Sequence, residues 1–282
     1  MNRREFVAAM TAAGMAGPLA GCTGDKGAAE MASAADVAVG VQLYTVRDLM
    51  AESVESTLKL VAEIGYPNVE FAGYFDHSPA DIRRMLDDVG LAAPAAHVGQ
   101  EYFEDDAAAV IDAAATIGHE YVVIPSLPGH LRNSLDYFYH TAERFNAWGE
   151  ACRAAGIRFA YHNHDWEFHS EDGKLYYDVL LDETDPELVE FELDLAWIHI
   201  AGHSAVEYFK RYPGRFPLWH IKDMTAAGEM VDVGDGDMDF APIIENASVG
   251  GTRYGFVEHD EPADSAESIR RSLAATKALL SA

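Results

Sequence analysis

The chain has 282 residues, of which 20 are basic and 47 acidic, so its formal net charge at pH 7 is −27. A charge of this sign repels phosphate backbones, which disfavours nucleic-acid binding. The acidic residues are spread along the chain and form no tail, as is typical of a solvated acidic surface.

Residues 1–22 have the pattern of an export signal. Arg3 and Arg4 precede an apolar stretch over residues 7–20, which is too short for a bilayer span of about 20 residues. The Arg-Arg-x-Phe sequence resembles a twin-arginine signal, and Leu-Ala-Gly-Cys, ending at Cys22, resembles a bacterial lipoprotein processing site. By this resemblance, Cys22 is lipidated and is the only membrane anchor of an exported protein, periplasmic or at the cell surface. An ordinary secretory signal with a chance cysteine is the alternative, and Cys152 is expected to be a buried, inert thiol.

Residues 23–37 are small and polar, and they predict a flexible linker before a domain over residues 38–282. The domain has about 245 residues, close to the usual size of an eight-fold β/α barrel. Strands are predicted at residues 39–46, 68–74, 93–99, 121–127, 158–164, 189–197, 217–224 and 254–260. Helices are predicted at residues 53–64, 80–89, 107–117, 135–155, 204–212 and 265–280.

The alternation of strands and helices predicts a parallel sheet, and eight such units favour its closure into a (β/α)8 TIM barrel. A doubly wound open sheet is the alternative fold. That fold would have a glycine-rich phosphate loop after the first strand, and residues 42–48 (QLYTVRD) contain no glycine.

Four segments end in side chains that can bind a metal or transfer a proton: residues 161–168 (YHNHDWEF), 192–197 (ELDLAW), 219–224 (WHIKDM) and 255–262 (GFVEHDEP). They recur at about the length of one strand–helix unit. Side-chain alternation places four pairs on inward faces, namely His162 with His164, Glu192 with Asp194, His220 with Lys222, and Glu258 with Asp260. The strand ends of such a barrel converge at one rim, and a mixed nitrogen and oxygen set suits a divalent ion.

Further motifs carry a family resemblance. They are residues 40–47 (GVQLYTVR), Gly65-Tyr66 followed by Val69-Glu70, residues 220–223 (HIKD), and residues 234–237 (GDGD) followed by Asp239-Phe240. With these motifs the domain resembles the sugar phosphate isomerase/epimerase superfamily, whose members have a xylose-isomerase-like TIM barrel. The resemblance implies one divalent metal, Mn, Zn, Co or Mg, with His162, Asp194, His220 and Glu258 as ligands. His162 stands where a glutamate is the commonest residue of the family, and His164 is the alternative ligand from the same strand.

In the epimerases of this superfamily two glutamates flank the substrate carbon, and here only Glu258 remains of that pair. The predicted catalytic residues are Glu258, Lys222, His164 and His97. Lys222 either stabilises an enolate or pairs with an acid. The predicted substrate contacts are Glu70, Glu167 and Trp197, and for Glu70 a plain salt bridge is the alternative.

The resemblance predicts a metal-dependent isomerase or epimerase that acts on a keto or aldo sugar by enolisation. A keto-glycoside lyase or hydrolase, or a sugar dehydratase, could use the same metal site with one base. A non-catalytic sugar-binding lipoprotein is an alternative of another class. An endonuclease of the same barrel family is disfavoured by the negative charge. The expected partner is a small-molecule sugar, and a homodimer is possible for barrels of this type.

Overall fold

The computed structural model describes residues 37–281, so the predicted signal and most of the predicted linker lie outside the described residues. Eight parallel strands close into a barrel in chain order, with β1 paired to both β2 and β8. The strands are β1 Ala38–Gln42, β2 Asn68–Ala72, β3 Ala92–His97, β4 Tyr121–Ile124, β5 Arg158–His162, β6 Val189–Asp194, β7 Leu218–Ile221 and β8 Tyr254–Val257. The predicted TIM barrel is therefore confirmed.

Helices follow the strands and pack around the barrel. In the described part of the chain they are α1 Arg47–Glu52, α2 Val54–Ile64, α3 Pro79–Val89, α4 Gln100–Ile117, α5 Leu135–Ala154, α6 Tyr176–Glu183, α7 Leu195–Ile200, α8 Ala205–Arg211, α9 Ala241–Glu245, α10 Ala247–Gly250 and α11 Ser265–Leu280. The sequence analysis did not predict α1, α6, α7, α9 and α10, which have only four to eight residues. Such short segments show too few turns for a helical period to stand out.

Several predicted strands are longer than the observed ones. β1 ends at Gln42, where the chain enters a 3₁₀ turn over Leu43–Val46, and β6 ends at Asp194, where α7 begins. The residues beyond these ends are still buried, including Leu43, Val46 and Leu195. An uninterrupted apolar run does not show where the backbone turns outward at the rim of the barrel, so the sequence pattern extended the strands too far.

The barrel interior is filled by apolar side chains below the rim. They are Ala95, Tyr121, Val123, Ala160, Leu218 and Phe256. A Cβ atom on Gly40 would lie only 2.5 Å from Cδ1 of Phe256, so this position in β1 has no room for a larger residue. The filled interior leaves the C-terminal rim as the place for polar chemistry.

A second, larger apolar core lies between the barrel and its helices, and the side chain of Cys152 is part of it. Burial raises the pKa of the Cys152 thiol to about 12, so the prediction of a buried cysteine is confirmed. Val37, which was assigned to the linker, is also buried in this core. None of the helices over residues 37–281 is long and apolar enough to cross a membrane.

Candidate metal centre and active site

The alternation of side chains along the strands places polar side chains at the C-terminal rim of the barrel. Ala160, Leu218 and Phe256 belong to the apolar interior of the barrel. Because successive inward residues are two positions apart in a strand, the next inward residues are His162, His220 and Glu258, respectively. On β6, Glu192 and Asp194 share the inward face and are fully buried.

The four predicted metal ligands come together at this rim, and their ligand atoms lie within 4.8 Å of one another. Nδ1 of His220 lies 2.6 Å from Oε2 of Glu258 and 3.7 Å from Oδ2 of Asp194. Nε2 of His162 lies 3.3 Å from the same oxygen of Asp194. We call this group the rim cluster. His164 belongs to no such group among the described residues.

The rim cluster fits a divalent metal because Nδ1 of His220 is buried and faces two carboxylates without a hydrogen-bond partner of its own. Oε2 of Glu258, 2.6 Å from this nitrogen, is paired with the Lys222 ammonium at 2.9 Å. An unsatisfied buried polar atom costs about 1–3 kcal/mol, so such atoms are rarely left without a partner. A cation bound by Nδ1 and the carboxylates would satisfy the imidazole, and two imidazoles with two carboxylates form a set that zinc and similar ions accept.

Local hydrogen bonds orient two of the ligands before any metal binds. Nδ1 of His162 lies 3.0 Å from the carbonyl oxygen of Pro125. Donation to this oxygen leaves the Nε2 lone pair facing the cluster. Oδ1 of Asp194 accepts hydrogen bonds from the first turn of α7, at Ala196 and Trp197. This N-cap leaves Oδ2 of Asp194 directed into the rim cluster.

The other side of His220 faces a deeper group, formed with Glu70, His97 and Glu192. Nε2 of His220 lies 2.8 Å from Oε2 of Glu70, and Nε2 of His97 lies 2.7 Å from Oε2 of Glu192. Nδ1 of His220 lies on the side of Asp194 and Glu258, so a metal in the rim cluster would bind Nδ1 and leave the Nε2 proton for Glu70. In that arrangement the deeper group would support the metal ligand His220.

Burial and charge set the ionisation of the deeper group. Burial and the neighbouring Glu192 raise the pKa of Glu70 to about 8. Burial also opposes ionisation of Glu192, but His220 and His97 hold its pKa below the ordinary value. Of these two neighbouring carboxyl groups, Glu192 is therefore the one that ionises more readily.

Lys222 is the buried cation of the site. Its Nζ lies 3.0 Å from Oδ2 of Asp194, 2.9 Å from Oε2 of Glu258 and 2.9 Å from Oδ1 of Asp260. Burial opposes its charge, but Asp194, Glu258 and Asp260 hold the pKa of Lys222 above its ordinary value. An ammonium group therefore lies directly beside two of the candidate metal ligands.

A cavity of about 270 Å³ opens above the rim cluster. It is lined by Tyr44, His97, Pro125, Ser126, His162, His164, Trp197, Lys222, Glu258, Asp260 and Glu261. Of the predicted residues, Asp194 and His220 lie below this cavity and are fully buried. Glu258 is thus the only carboxylate of the rim cluster that lines the cavity.

Two predicted substrate contacts do not reach the cavity. Glu70 is fully buried against His220. Glu167 is also fully buried, and it accepts hydrogen bonds from the Tyr161 hydroxyl and the His164 backbone. The structure thus corrects the expected role of both residues, because inward or turn positions in the sequence do not reveal how deep a side chain lies.

The sequence analysis did not assign a role at the site to Glu192, Asp260 or Tyr44. Glu192 and Asp260 each share an inward strand face with a predicted ligand, and this pairing was the available signal. Tyr44 lines the cavity from the turn after β1. No pattern in the sequence distinguished it from a packing residue.

A closed barrel with a buried His, Asp and Glu cluster at its C-terminal rim defines a metal-binding enzyme of the TIM-barrel class. The profile described as xylose isomerase-like TIM barrel matches residues 32–278, so the chain belongs to this family. Proteins to which this chain is similar are named for sugar isomerisation and for dehydration.

The chain is similar to a sugar phosphate isomerase/epimerase from Parabacteroides distasonis, with 28% identity, 88% of this chain and 94% of that chain covered, and a TM-score of 0.73. It is also similar to the IOLI protein, whose structure has a binding zinc atom, with 17% identity, 87% and 98% coverage and a TM-score of 0.71. The second similarity shows the fold alone.

Curated relatives are named inosose dehydratase. The protein from Clostridium perfringens is 28% identical over 122 residues, which are 37% of this chain and 40% of that protein. The protein from Geobacillus kaustophilus is 22% identical over 229 residues, with 67% of this chain and 74% of that protein covered. The chain thus spans about 40% of the length of the first curated relatives it matches.

Proposed function

We propose that the protein is a metal-dependent enzyme that enolises a keto or aldo sugar by removing the proton beside its carbonyl group. The observation that carries this proposal is the buried cluster of two imidazoles and two carboxylates, with the Lys222 ammonium 2.9 Å from Glu258, at a cavity that Glu258 and Lys222 both line. A binding protein with no chemistry to perform would have no need to bury these charges together.

His162, Asp194, His220 and Glu258 would hold the metal. The bound metal would polarise the carbonyl group of the substrate as a Lewis acid. Glu258 is the cluster carboxylate that lines the cavity, so it is placed to take the proton. Lys222 lies beside it and can stabilise the negative charge that develops on the carbonyl oxygen.

The remaining cavity residues bind and orient the sugar. His97 and His164 present imidazole rings to the cavity and can hydrogen-bond hydroxyl groups of the sugar. Burial lowers the pKa of His164 to about 3, so His164 is a neutral ring in this role. The indole ring of Trp197 forms one wall, 5.8 Å from the ring of His164 between centroids. An aromatic face of this kind can pack against the apolar face of a sugar.

One observation favours dehydration as the outcome of enolisation. Position 162 is a histidine, held by Pro125, so the cluster has one carboxylate at the cavity and not the pair that two-glutamate epimerisation needs. Removal of one proton by Glu258, followed by loss of the neighbouring hydroxyl group as water, requires one base and one acid. The relatives named inosose dehydratase support this second candidate.

Solvent exchange tests both candidates. The protein loaded with Mn²⁺ or Zn²⁺ is incubated in deuterated water with ketoses, keto-glycosides and inosose, and products are followed by NMR and mass spectrometry. We expect deuterium at the carbon beside the carbonyl group of at least one compound, and loss of water from it if the protein is a dehydratase. Glu258→Gln should lose both activities, whereas the exposed control Glu245→Gln should keep them.

A different result would point to another class of function. If the metal-loaded protein binds a keto sugar but exchanges no deuterium into any compound, enolisation is wrong and a non-catalytic sugar-binding role is favoured. If Glu258→Gln exchanges at the wild-type rate, another group is the base.

We also propose that the protein is exported and lipid-anchored. The support is sequence alone: Arg3 and Arg4 at the start, and the processing-site pattern that ends at Cys22. In a bacterial host, Cys22→Ser should leave the exported protein in the soluble fraction, while the wild type sediments with membranes. Membrane attachment of Cys22→Ser would contradict the lipid anchor.

A further inference from the structure

A second and larger cavity adjoins the one above the metal site. It has a volume of about 750 Å³ and shares Tyr44, His97 and Pro125 with the smaller cavity. We call it the aromatic groove. Cavities of roughly 300–1,000 Å³ suit ligands larger than one small ring, so the two cavities together have room for more than the reacting sugar.

The groove is built by three consecutive parts of the barrel. One wall is the loop at residues 73–77 after β2, and the floor is the end of β3 at residues 97–99. The other wall comes from both halves of α4, with Tyr102 before the non-helical residue Asp106 and Val110 and Ala113 after it. All three lie at the C-terminal rim, because each follows or continues a strand end. The groove therefore extends sideways from the metal site and does not lead into the barrel.

The lining is mainly apolar and aromatic, and its ionisable side chains are Asp76, His77 and His97. Tyr44 and Tyr102 have 43% and 61% of their surface exposed, which is high for large hydrophobic side chains. Phe75, Val98 and Val110 add further apolar surface. Aromatic and aliphatic walls of this kind bind a flat, weakly polar ring better than a strongly hydrated one.

The wall after β2 also holds an unusual backbone. Phe75 and Asp76 have φ angles of 49° and 62°, in the left-handed region that non-glycine residues rarely adopt. Such conformations are energetically unfavourable and often occur where a segment holds a ligand. Here the conformation places Phe75 in the lining of the groove.

We propose that the aromatic groove binds an aryl aglycone, joined to a keto sugar whose carbonyl carbon lies at the metal centre. This inference rests on the proposed enolisation and names its substrate class, an aryl glycoside of a keto sugar. The continuity of the two cavities through Tyr44, His97 and Pro125 lets one molecule occupy both. The apolar lining favours the aryl group over a second sugar.

A matched pair of ligands tests the groove by binding alone. The methyl and the phenyl glycoside of one 3-keto sugar differ only in the aglycone, and their dissociation constants with metal-loaded protein are measured by calorimetry. We expect the phenyl compound to bind about 10-fold more tightly, since one buried ring contributes roughly that much. Tyr102→Ala, which removes a wall, and Ala109→Trp, which fills the groove, should each reduce this preference and leave the methyl compound unaffected.

The control variant is Ile200→Ala, which removes a hydrophobic side chain that is 41% exposed and outside the groove. It should keep the full preference for the phenyl compound. Equal affinity of the wild type for both compounds overturns the inference, even if both exchange deuterium and the proposed function stands. A preference that is lost in both groove variants supports the inference, even if neither compound exchanges deuterium and enolisation is wrong.

Two further results would also overturn it. A preference that survives both Tyr102→Ala and Ala109→Trp would place the phenyl ring elsewhere. If Ala109→Trp converts a dimer into a monomer in sedimentation experiments without changing the preference, the groove is an interface between two copies of the chain.

Discussion

At the scale of single residues, His220 separates two groups of buried carboxylates. Its Nδ1 faces Asp194 and Glu258, and its Nε2 faces Glu70 and Glu192. Within the described site, the Lys222 ammonium balances only part of this buried negative charge. Because uncompensated buried charges are costly, a divalent cation at the Nδ1 side would relieve the excess.

Glu70→Gln tests the support that the deeper group gives to the metal ligand. Glutamine keeps the shape of Glu70 but is a weaker acceptor for the Nε2 proton of His220, so His220 becomes a poorer metal ligand. Loss of such a partner typically lowers metal affinity 10–100-fold. We expect this decrease in a metal titration, with a circular dichroism spectrum like that of the wild type. The exposed control Glu245→Gln should not change the affinity, and unchanged affinity in Glu70→Gln would show that the tautomer is set elsewhere.

Lys222→Met separates catalysis from metal binding. The change removes an ammonium group that lies 3.0 Å from Asp194 and 2.9 Å from Glu258. Metal affinity should stay the same or rise, because a repelling positive charge is lost. Turnover should fall on the order of 100-fold if Lys222 stabilises the developing oxyanion. The measurements are metal titration and steady-state kinetics, with the exposed Lys210→Met as control. Full turnover would remove Lys222 from the mechanism.

At the scale of elements, the turns that follow the strands organise the rim. The longest of these turns follows β7. It begins with a hairpin formed by Asp223–Met224 and Met230–Val231. The Asp223 carboxylate accepts backbone hydrogen bonds from Met224, Gly234, Gly236 and Met238. A Cβ atom at Gly236 would lie 2.1 Å from Oδ1 of Asp223, so only glycine fits there. The Asp223 carboxylate thus holds the conformation of the loop beside Lys222 through backbone hydrogen bonds.

Asp223→Ala should loosen this loop. It leaves several backbone N–H groups without their carboxylate acceptor, and hydrogen bonds to a charged group contribute about 1.5–3 kcal/mol each. We expect the free energy of unfolding to fall by about 3 kcal/mol in urea titration, since water replaces part of the loss. The exposed control Asp105→Ala should change it by less than about 0.5 kcal/mol. Wild-type stability in Asp223→Ala would contradict the organising role of this carboxylate.

At the scale of the whole molecule, metal binding should be coupled to stability. The rim cluster takes its ligands from β5, β6, β7 and β8, so one ion would join four strands of the closed barrel. A ligand that binds only the folded state stabilises it by an amount that grows with the logarithm of the ratio of its concentration to its dissociation constant. The melting temperature of the barrel should therefore report on the occupancy of its metal site.

Metal removal should lower the melting temperature markedly. At a metal concentration 1,000-fold above the dissociation constant, stabilisation is about 4 kcal/mol, which corresponds to roughly 8–16 °C for a domain of this size. Differential scanning calorimetry with EDTA and with added Mn²⁺ or Zn²⁺ measures the difference. Asp194→Asn, which can still cap α7, should abolish it, and Asp105→Asn should retain it. An equal melting temperature with and without metal would contradict the rim site.

The sequence by itself determined the barrel and the candidate side chains of the rim cluster, with His162 and His164 left as alternatives on β5. The fold followed from repeated strand and helix patterns of regular length, and His162, Asp194, His220 and Glu258 followed from inward alternation together with a family resemblance. Both signals are local, because a strand shows its period within a few residues. Local patterns do not show where a buried run leaves the sheet, which explains the strands predicted too long and the short helices that were missed.

Only the tertiary structure decided how deeply each side chain is buried and which side chains lie beside one another. It placed Glu70 and Glu167 out of reach of the cavity, and it brought Asp260 beside Lys222. It placed His162 in the rim cluster and His164 in the lining of the cavity, because β5 ends at His162 and His164 lies beyond the strand end. The aromatic groove joins residues 44, 75 and 102, which are distant in the chain. These features depend on distances between elements, and such distances are fixed only when the barrel closes.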